Sequence, residues 1–277
     1  MAIKLDQYEQ RIIAFIDILG FREHVNQTVT NKDDFIKIRN ILNLISEYKH
    51  DNDNGILSQK EIGKEVTVFS DSIVISYPVT LPSAGFYLIL DVVHLQLDMM
   101  GLGIQMRGGI SVGGLCHDDN IVYGPAMVKA YELESKHAIY PRVIVDEEAI
   151  KMAIIKGNHS EEEEMEYISD LVECDSDGRF FVEFMSQWQE VEYDIDYFTA
   201  LEKTRTIIVQ SLNTYAKNEK VLLKYKWLRD YFNRTLDKFD QLPETLYIPN
   251  PYKTNNSKKS KIKTMFKRIL KAFRFYM

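Results

Sequence analysis

An α+β fold built on an antiparallel sheet is predicted by three features of the chain. Short β-prone runs and amphipathic stretches follow one another as strand, helix, strand, strand, helix, strand. Two of those runs, 65–70 and 72–77, are separated by Asp71 alone, the spacing of a tight hairpin. Neither GxxxxGK[ST] nor a strand-to-helix GxGxxG occurs, which disfavours kinase-like and dinucleotide-binding readings. The order matches a ferredoxin-like split βαβ unit (βαββαβ), with the sheet on one side and two helices on the other.

Each element has its own justification. Residues 11–15 are β-branched and aromatic and end at Asp17; a turn containing Gly20 follows, then a helical pattern from about 34 to 48. After the 65–77 hairpin, Leu88, Val92, Leu95 and Met99 recur at helical spacing over 84–100, with Gly101 as the expected C-terminal cap. Residues 104–112 read as a strand whose glycines permit close approach of another backbone or a ligand, and a helix is expected over about 125–136. Further on, 167–174 and 180–184 flank the turn former Asp175-Ser-Asp-Gly178 and predict an appended hairpin; 197–239 is helical. The expected division is a core over 1–155, a hairpin and helical extension over 156–250, and a tail over 251–277.

Composition bounds the function. In 277 residues, 34 Lys+Arg stand against 41 Asp+Glu, and 45% are hydrophobic, which suits a globular chain with a core of its own. Two cysteines without CxxC spacing exclude a disulfide framework and point away from structural zinc, so a reducing, cytoplasmic setting is expected. Nine of the basic residues and no acid fall in 251–277, leaving 25 basic against the 41 acidic residues before them. No DNA partner is expected of so acidic a body. The tail carries Ile262, Met265, Phe266, Ile269, Leu270 and Phe273 at helical spacing among its lysines, a basic amphipathic pattern suited to an anionic membrane surface, to RNA or phage components, or to docking on the body.

Two carboxylates stand out. Asp17 in FIDILGF and Asp71 in FSDSIV end or interrupt apolar strands, where an unpaired charge is costly. A divalent ion between them would offset that cost, since Mg²⁺ or Mn²⁺ takes a few carboxylate oxygens and completes its shell with water and phosphate. The plain alternative is a pair of turn residues at strand ends. The turn Ile18-Leu19-Gly20-Phe21 offers consecutive backbone N–H groups to a phosphate. The six histidines are scattered without metal-ligand spacing.

The ordered motifs FIDILGF, FSDSIVISYP, MRGGISVGG and VYGPAMVKAYELES resemble the class III nucleotidyl cyclase catalytic domain over about half the chain, and within it most resemble bacterial Pycsar pyrimidine cyclases of antiphage defence. The resemblance implies a cyclase palm, with Asp17, Ile18 and Asp71 as the site of two Mg²⁺ or Mn²⁺ ions and Ile18 to Phe21 as the triphosphate loop. It implies in-line attack of a ribose 3′-hydroxyl on the α-phosphate with loss of pyrophosphate. It also implies a homodimer with shared sites and a downstream effector that senses the cyclic nucleotide.

The departures sharpen the expectation. Thr67 and Ile121 stand where purine cyclases carry their base-reading pair, so the usual purine hydrogen bonds are missing and a pyrimidine triphosphate, UTP or CTP, is expected. Val128 and Glu132 replace the usual Asn and Arg of the helix motif; Arg107 or Lys129 is the candidate replacement cation on the reacting phosphate. A degenerate cyclase-like module that binds nucleotide or a partner without turnover is the rival reading. A diguanylate cyclase or polymerase palm shares the two-metal logic but wants a GGDEF-like hairpin, where this chain has Ser70-Asp71-Ser72.

Overall fold

The computed structural model describes residues 7–48, 62–239 and 243–250, so the basic tail lies outside the described residues. β1 (Glu9–Ile18) runs through the middle of the sheet, antiparallel to β3 (Ser72–Pro78) on one side and to β4 (Met106–Asp118) on the other. β2 (Glu65–Phe69) flanks β3. The order β2-β3-β1-β4 is the ferredoxin-like arrangement expected from the sequence.

The two-residue period of β1 sorts its side chains between two faces. Ile12, Ala14, Ile16 and Ile18 enter the main core with α2 (Lys32–Glu47) and α3 (Ala84–Gly101). Ile13 and Phe15 point the other way and, with Val74 and Leu115, lie under Ala126 and Ala130 of α4 (Pro125–Glu132). Close approach of α4 to the sheet depends on small residues in β4. A Cβ on Gly109 would overlap the Ala130 carbonyl and the Leu133 side chain, and Ser111 Oγ donates to Ala126 O at 2.7 Å.

Beyond β4 the sheet continues through β6 (Val143–Val145), the one parallel neighbour, to β8 (Phe180–Val182) and β7 (Val172–Cys174) at the edge; β5 (Ile121–Tyr123) folds back on the end of β4. α5 (Glu147–Ile155), α6 (Glu161–Leu171), α7 (Asp194–Thr214) and α8 (Glu219–Leu236) are the remaining α-helices among the described residues, apart from one short helix before α2. Arg142 ties α8 to the sheet. Its carbonyl accepts from Gly108 N at 3.2 Å, its buried guanidinium pairs with Asp175 and Asp177 and lies over Tyr140 and Trp227, and Trp227 Nε1 donates to Asp175 at 2.6 Å.

Four expectations are corrected. Residues 167–171 are helical, because Ser160 and Glu163 form a reciprocal capping box and four glutamates fill the first turn, starting a helix that runs to Leu171 before the strand begins. An additional helix, α1 (Phe21–Thr28), opens directly at Gly20, whose φ of 79° makes the turn. The left-handed residue after α3 is Gly103, at φ 72°, while Gly101 is still helical. The 125–136 helix gives way at Leu133 to a π-helical turn over Leu133–His137.

Candidate active site

The non-core face of the sheet carries a cluster of charges at one end. Asp17 closes β1 there, half-buried, and accepts from Ser72 Oγ at 3.1 Å. Asp71 sits in the β2–β3 turn, next to Ser70 at φ 54°; its carbonyl receives the Ile18 amide at 3.2 Å, which fastens the turn to the end of β1. The two carboxylates are close. Burial first, then the Asp71 charge, push the Asp17 carboxyl above its ordinary value, against opposing help from Ser72 and Arg107.

Arg107 faces Asp17 across the β1–β4 ladder, Nη2 lying 3.5 Å from Asp17 Oδ2. Its Nε stands 2.7 Å from Oε1 of Glu134, a pair close enough to be ionic although not aligned as a hydrogen bond. Glu134 is 3% exposed and comes from the π-helical turn after α4. Burial raises its carboxyl, as do Asp17 and Asp71, with Arg107 working against them. Lys224 of α8 adds a second cation nearby, half-buried and lowered first by burial and then by the Arg107 charge.

The other predicted site residues are distributed differently. In the 18–21 loop, the Ile18 side chain is buried, Ile18 N is spent on Asp71 O, and Leu19 N donates to Gln105 O at 2.9 Å. A phosphate there is left with the amides of Gly20 and Phe21, at the start of α1, so the expectation of a full row of donors is corrected. Lys129 is held by Asp146 at 2.6 Å and is joined by no hydrogen bond or ion pair to Asp17 or Asp71, and Ile121 is 61% exposed at the start of β5. Val128 is likewise exposed, and Glu132 is engaged with Lys136 at 2.6 Å.

Thr67 is fully buried, and its hydroxyl is already used. It donates to Asp119 O, so the proton between Thr67 Oγ1 and His117 Nε2, 2.9 Å apart, belongs to the histidine. His117 Nδ1 is then an acceptor for Ser76 Oγ at 2.8 Å, and Ser76 in turn accepts from Arg11 Nε at 2.9 Å. The β4–β5 turn therefore covers this hydroxyl, at the position the resemblance assigns to base reading. Burial and the Arg11 charge push His117 down to about 3, in keeping with a neutral ring in that chain.

Two oxygen-bearing carboxylates at adjoining strand ends suit a hard divalent ion, which needs only one or two carboxylates where substrate phosphates complete its shell. No group of three His, Cys, Asp or Glu side chains is arranged around a common point among the described residues. Sequence reasoning missed Glu134 and His117. Both sit in stretches whose periodicity predicts only a helix or a loop, and nothing in composition marks either as inward-facing.

No family model and no curated relative matches the chain. Solved structures similar to it include two of a bacterial light-regulated adenylyl cyclase, each 18% identical with a TM-score of 0.34, covering 54% and 52% of this chain. A third is the catalytic core of a rhodopsin-guanylyl cyclase with converted specificity, in complex with ATPαS, 17% identical at a TM-score of 0.35 over 54% of this chain. The chain spans 46% of the first of these, 79% of the second and 83% of the third.

Proposed function

We propose that the chain is a nucleotidyl cyclase that converts a pyrimidine nucleoside triphosphate, UTP or CTP, to its 3′,5′-cyclic monophosphate and pyrophosphate. The observation that carries this reading is the convergence of Asp17 and Asp71, beside Arg107, at the end of β1 and the β2–β3 turn. In the reaction the ribose O3′ bonds to the α-phosphorus, the bond from that phosphorus to the β-phosphate oxygen breaks, and the hydroxyl proton passes to solvent. Mg²⁺ or Mn²⁺, when bound, supplies Lewis-acid stabilisation of the phosphate oxygens. Asp17, Asp71 and the Ile18 carbonyl would hold it. The Gly20 and Phe21 amides at the start of α1 bind a phosphate oxygen, and Arg107 meets the negative charge of the reacting phosphate. Lys129 is less suited to that role because Asp146 holds it.

Pyrimidine selectivity is supported by the absence of a purine-reading pair at Thr67 and Ile121. With the Thr67 hydroxyl spent on Asp119, this position presents no free polar group to a base. The resemblance of the four ordered motifs to Pycsar cyclases supports a second-messenger role in bacterial antiphage defence, acting through a cyclic-nucleotide-sensing effector. A homodimer is the expected working unit.

Incubation of the purified chain with each labelled nucleoside triphosphate and Mn²⁺ tests the reading. Cyclic UMP or cyclic CMP should be the dominant product, and Asp17→Ala or Asp71→Ala should remove it entirely while leaving the fold intact. Cyclic product at the wild-type rate from either variant would refute the role of these carboxylates. Nucleotide binding without turnover by the wild type would favour the degenerate module, for which the loss of Asn and Arg at Val128 and Glu132 is the motive.

A further inference from the structure

We propose that Glu134 is a positioning residue that aims Arg107 at the phosphate chain of the substrate, a role that rests on the cyclase reading above. Arg107 reaches the site from a strand, and a long, flexible side chain there has several rotamers to choose from. Two carboxylates restrict it. Asp17 lies opposite in the ladder, at 3.5 Å from Nη2, and Glu134 lies at 2.7 Å from Nε. A guanidinium flanked at Nε by Glu134 and at Nη2 by Asp17 has its plane fixed, with Nη1 left to meet a phosphate oxygen.

The way Glu134 is delivered points to the same role. Glu134 follows Ala126 and Ala130 at four-residue spacing, on the helix face that packs against the sheet, and it ends with only 3% of its surface exposed, against Arg107. The placement is costly, since a buried carboxylate must be compensated by its partner. Gly109 secures it from below: the absence of a side chain there lets Ala130 and Leu133 settle on β4 immediately before Glu134.

A carboxylate beside an anion site has two opposite effects, and the experiment uses this. As a mere neighbour, Glu134 would repel phosphate, so its neutralisation would tighten anion binding. As a positioning residue it helps, so its neutralisation weakens binding. Calorimetric titration of inorganic tripolyphosphate into the full chain with Mn²⁺ reads the difference without any turnover. Glu134→Gln is expected to weaken tripolyphosphate binding about tenfold and Arg107→Gln by more, with no further loss in the double variant, because the first residue acts through the second. The specificity constant for the pyrimidine triphosphate should fall in parallel, and Mn²⁺ binding measured alone should stay within about threefold of wild type. Unchanged or tighter tripolyphosphate binding in Glu134→Gln, or additive losses in the double variant, would overturn the proposal. Arg107→Lys, which keeps the charge and loses the Nε contact, should reproduce the tenfold weakening and serves if Glu134→Gln does not fold. A wild-type chain that binds tripolyphosphate with this coupling yet forms no cyclic product would sink the cyclase reading and leave the Glu134–Arg107 relation standing.

Discussion

His117 carries a proton-ordered chain that runs from Arg11 through Ser76 and the imidazole to Thr67 and the Asp119 carbonyl. The ring serves as donor at one nitrogen and acceptor at the other, so a second proton would break the contact with Ser76 and place a charge beside Arg11. The unfolded chain takes up that proton near the ordinary value of 6.5, whereas the folded chain resists it until about 3. Stability contributed by this residue is therefore complete above about pH 6.5 and is lost as the pH falls toward 3. Thermal melts at pH 7 and pH 5 should show a drop for the wild type and a smaller drop for His117→Gln, which starts from a lower melting temperature at pH 7. An equal drop in both would mean that other groups carry the acid sensitivity. The contrast with Asp17 is instructive about legibility. A carboxylate ending an apolar strand contradicts its surroundings and can be read from the sequence, as Asp17 and Asp71 were, whereas a histidine in a mixed segment contradicts nothing until its partners are known.

The elements show the same division. β1, the β2–β3 hairpin, α2 and α3 were legible because their hydrophobic periods are strong and local. The 167–171 segment was not, since its β-prone composition competes with a capping box that begins seven residues earlier at Ser160, and the helix, once nucleated, extends through it. The π-helical turn over Leu133–His137 was equally hidden, since the apolar spacing over 125–136 reads as an ordinary helix, while α4 packs closely on β4 just before it. That packing gives a prediction at this scale. Gly109→Ala inserts a methyl group where Ala130 and Leu133 already sit, so α4 must lift. A loss of about 1–3 kcal/mol is expected from overpacking, read as a lower urea midpoint at unchanged slope. Because the same shift withdraws Glu134 from Arg107, tripolyphosphate affinity should fall with it. Preserved stability and affinity would show that the helix tolerates the methyl group and that close approach at this point is unimportant.

At the level of the whole molecule, the far side of α4 and β5 leaves Tyr8, Ile121, Tyr123, Val128 and Tyr131 between 49% and 61% exposed. Tyr8 and Tyr123 meet edge to face at 5.8 Å, so part of this surface is already ordered. Exposed apolar area of that extent, on the face that also carries the charge cluster, is what a twofold interface would cover. Sedimentation equilibrium of the full chain should report a dimer, and the double substitution Tyr123→Glu with Val128→Glu should shift it to monomer and lower cyclase activity at least tenfold. A wild-type chain that sediments as a monomer at the concentrations where it is active would remove the shared-site idea. Among the described residues no helix is long and apolar enough to cross a membrane.

The clasp at Arg142 bears on how the chain can be divided. Gly108, adjacent to Arg107, hangs its amide on the Arg142 carbonyl, while the guanidinium of that arginine shares Asp175 with the indole of Trp227, far along the sequence in α8. Cutting the chain after residue 155 would strip Arg142 of Asp175, Asp177 and the Trp227 indole, one strand away from the Asp17–Arg107 pair. The late helices are therefore structural shareholders in an early charge cluster, and any surgery or domain grafting that hopes to carry the proposed activity elsewhere has to take them along.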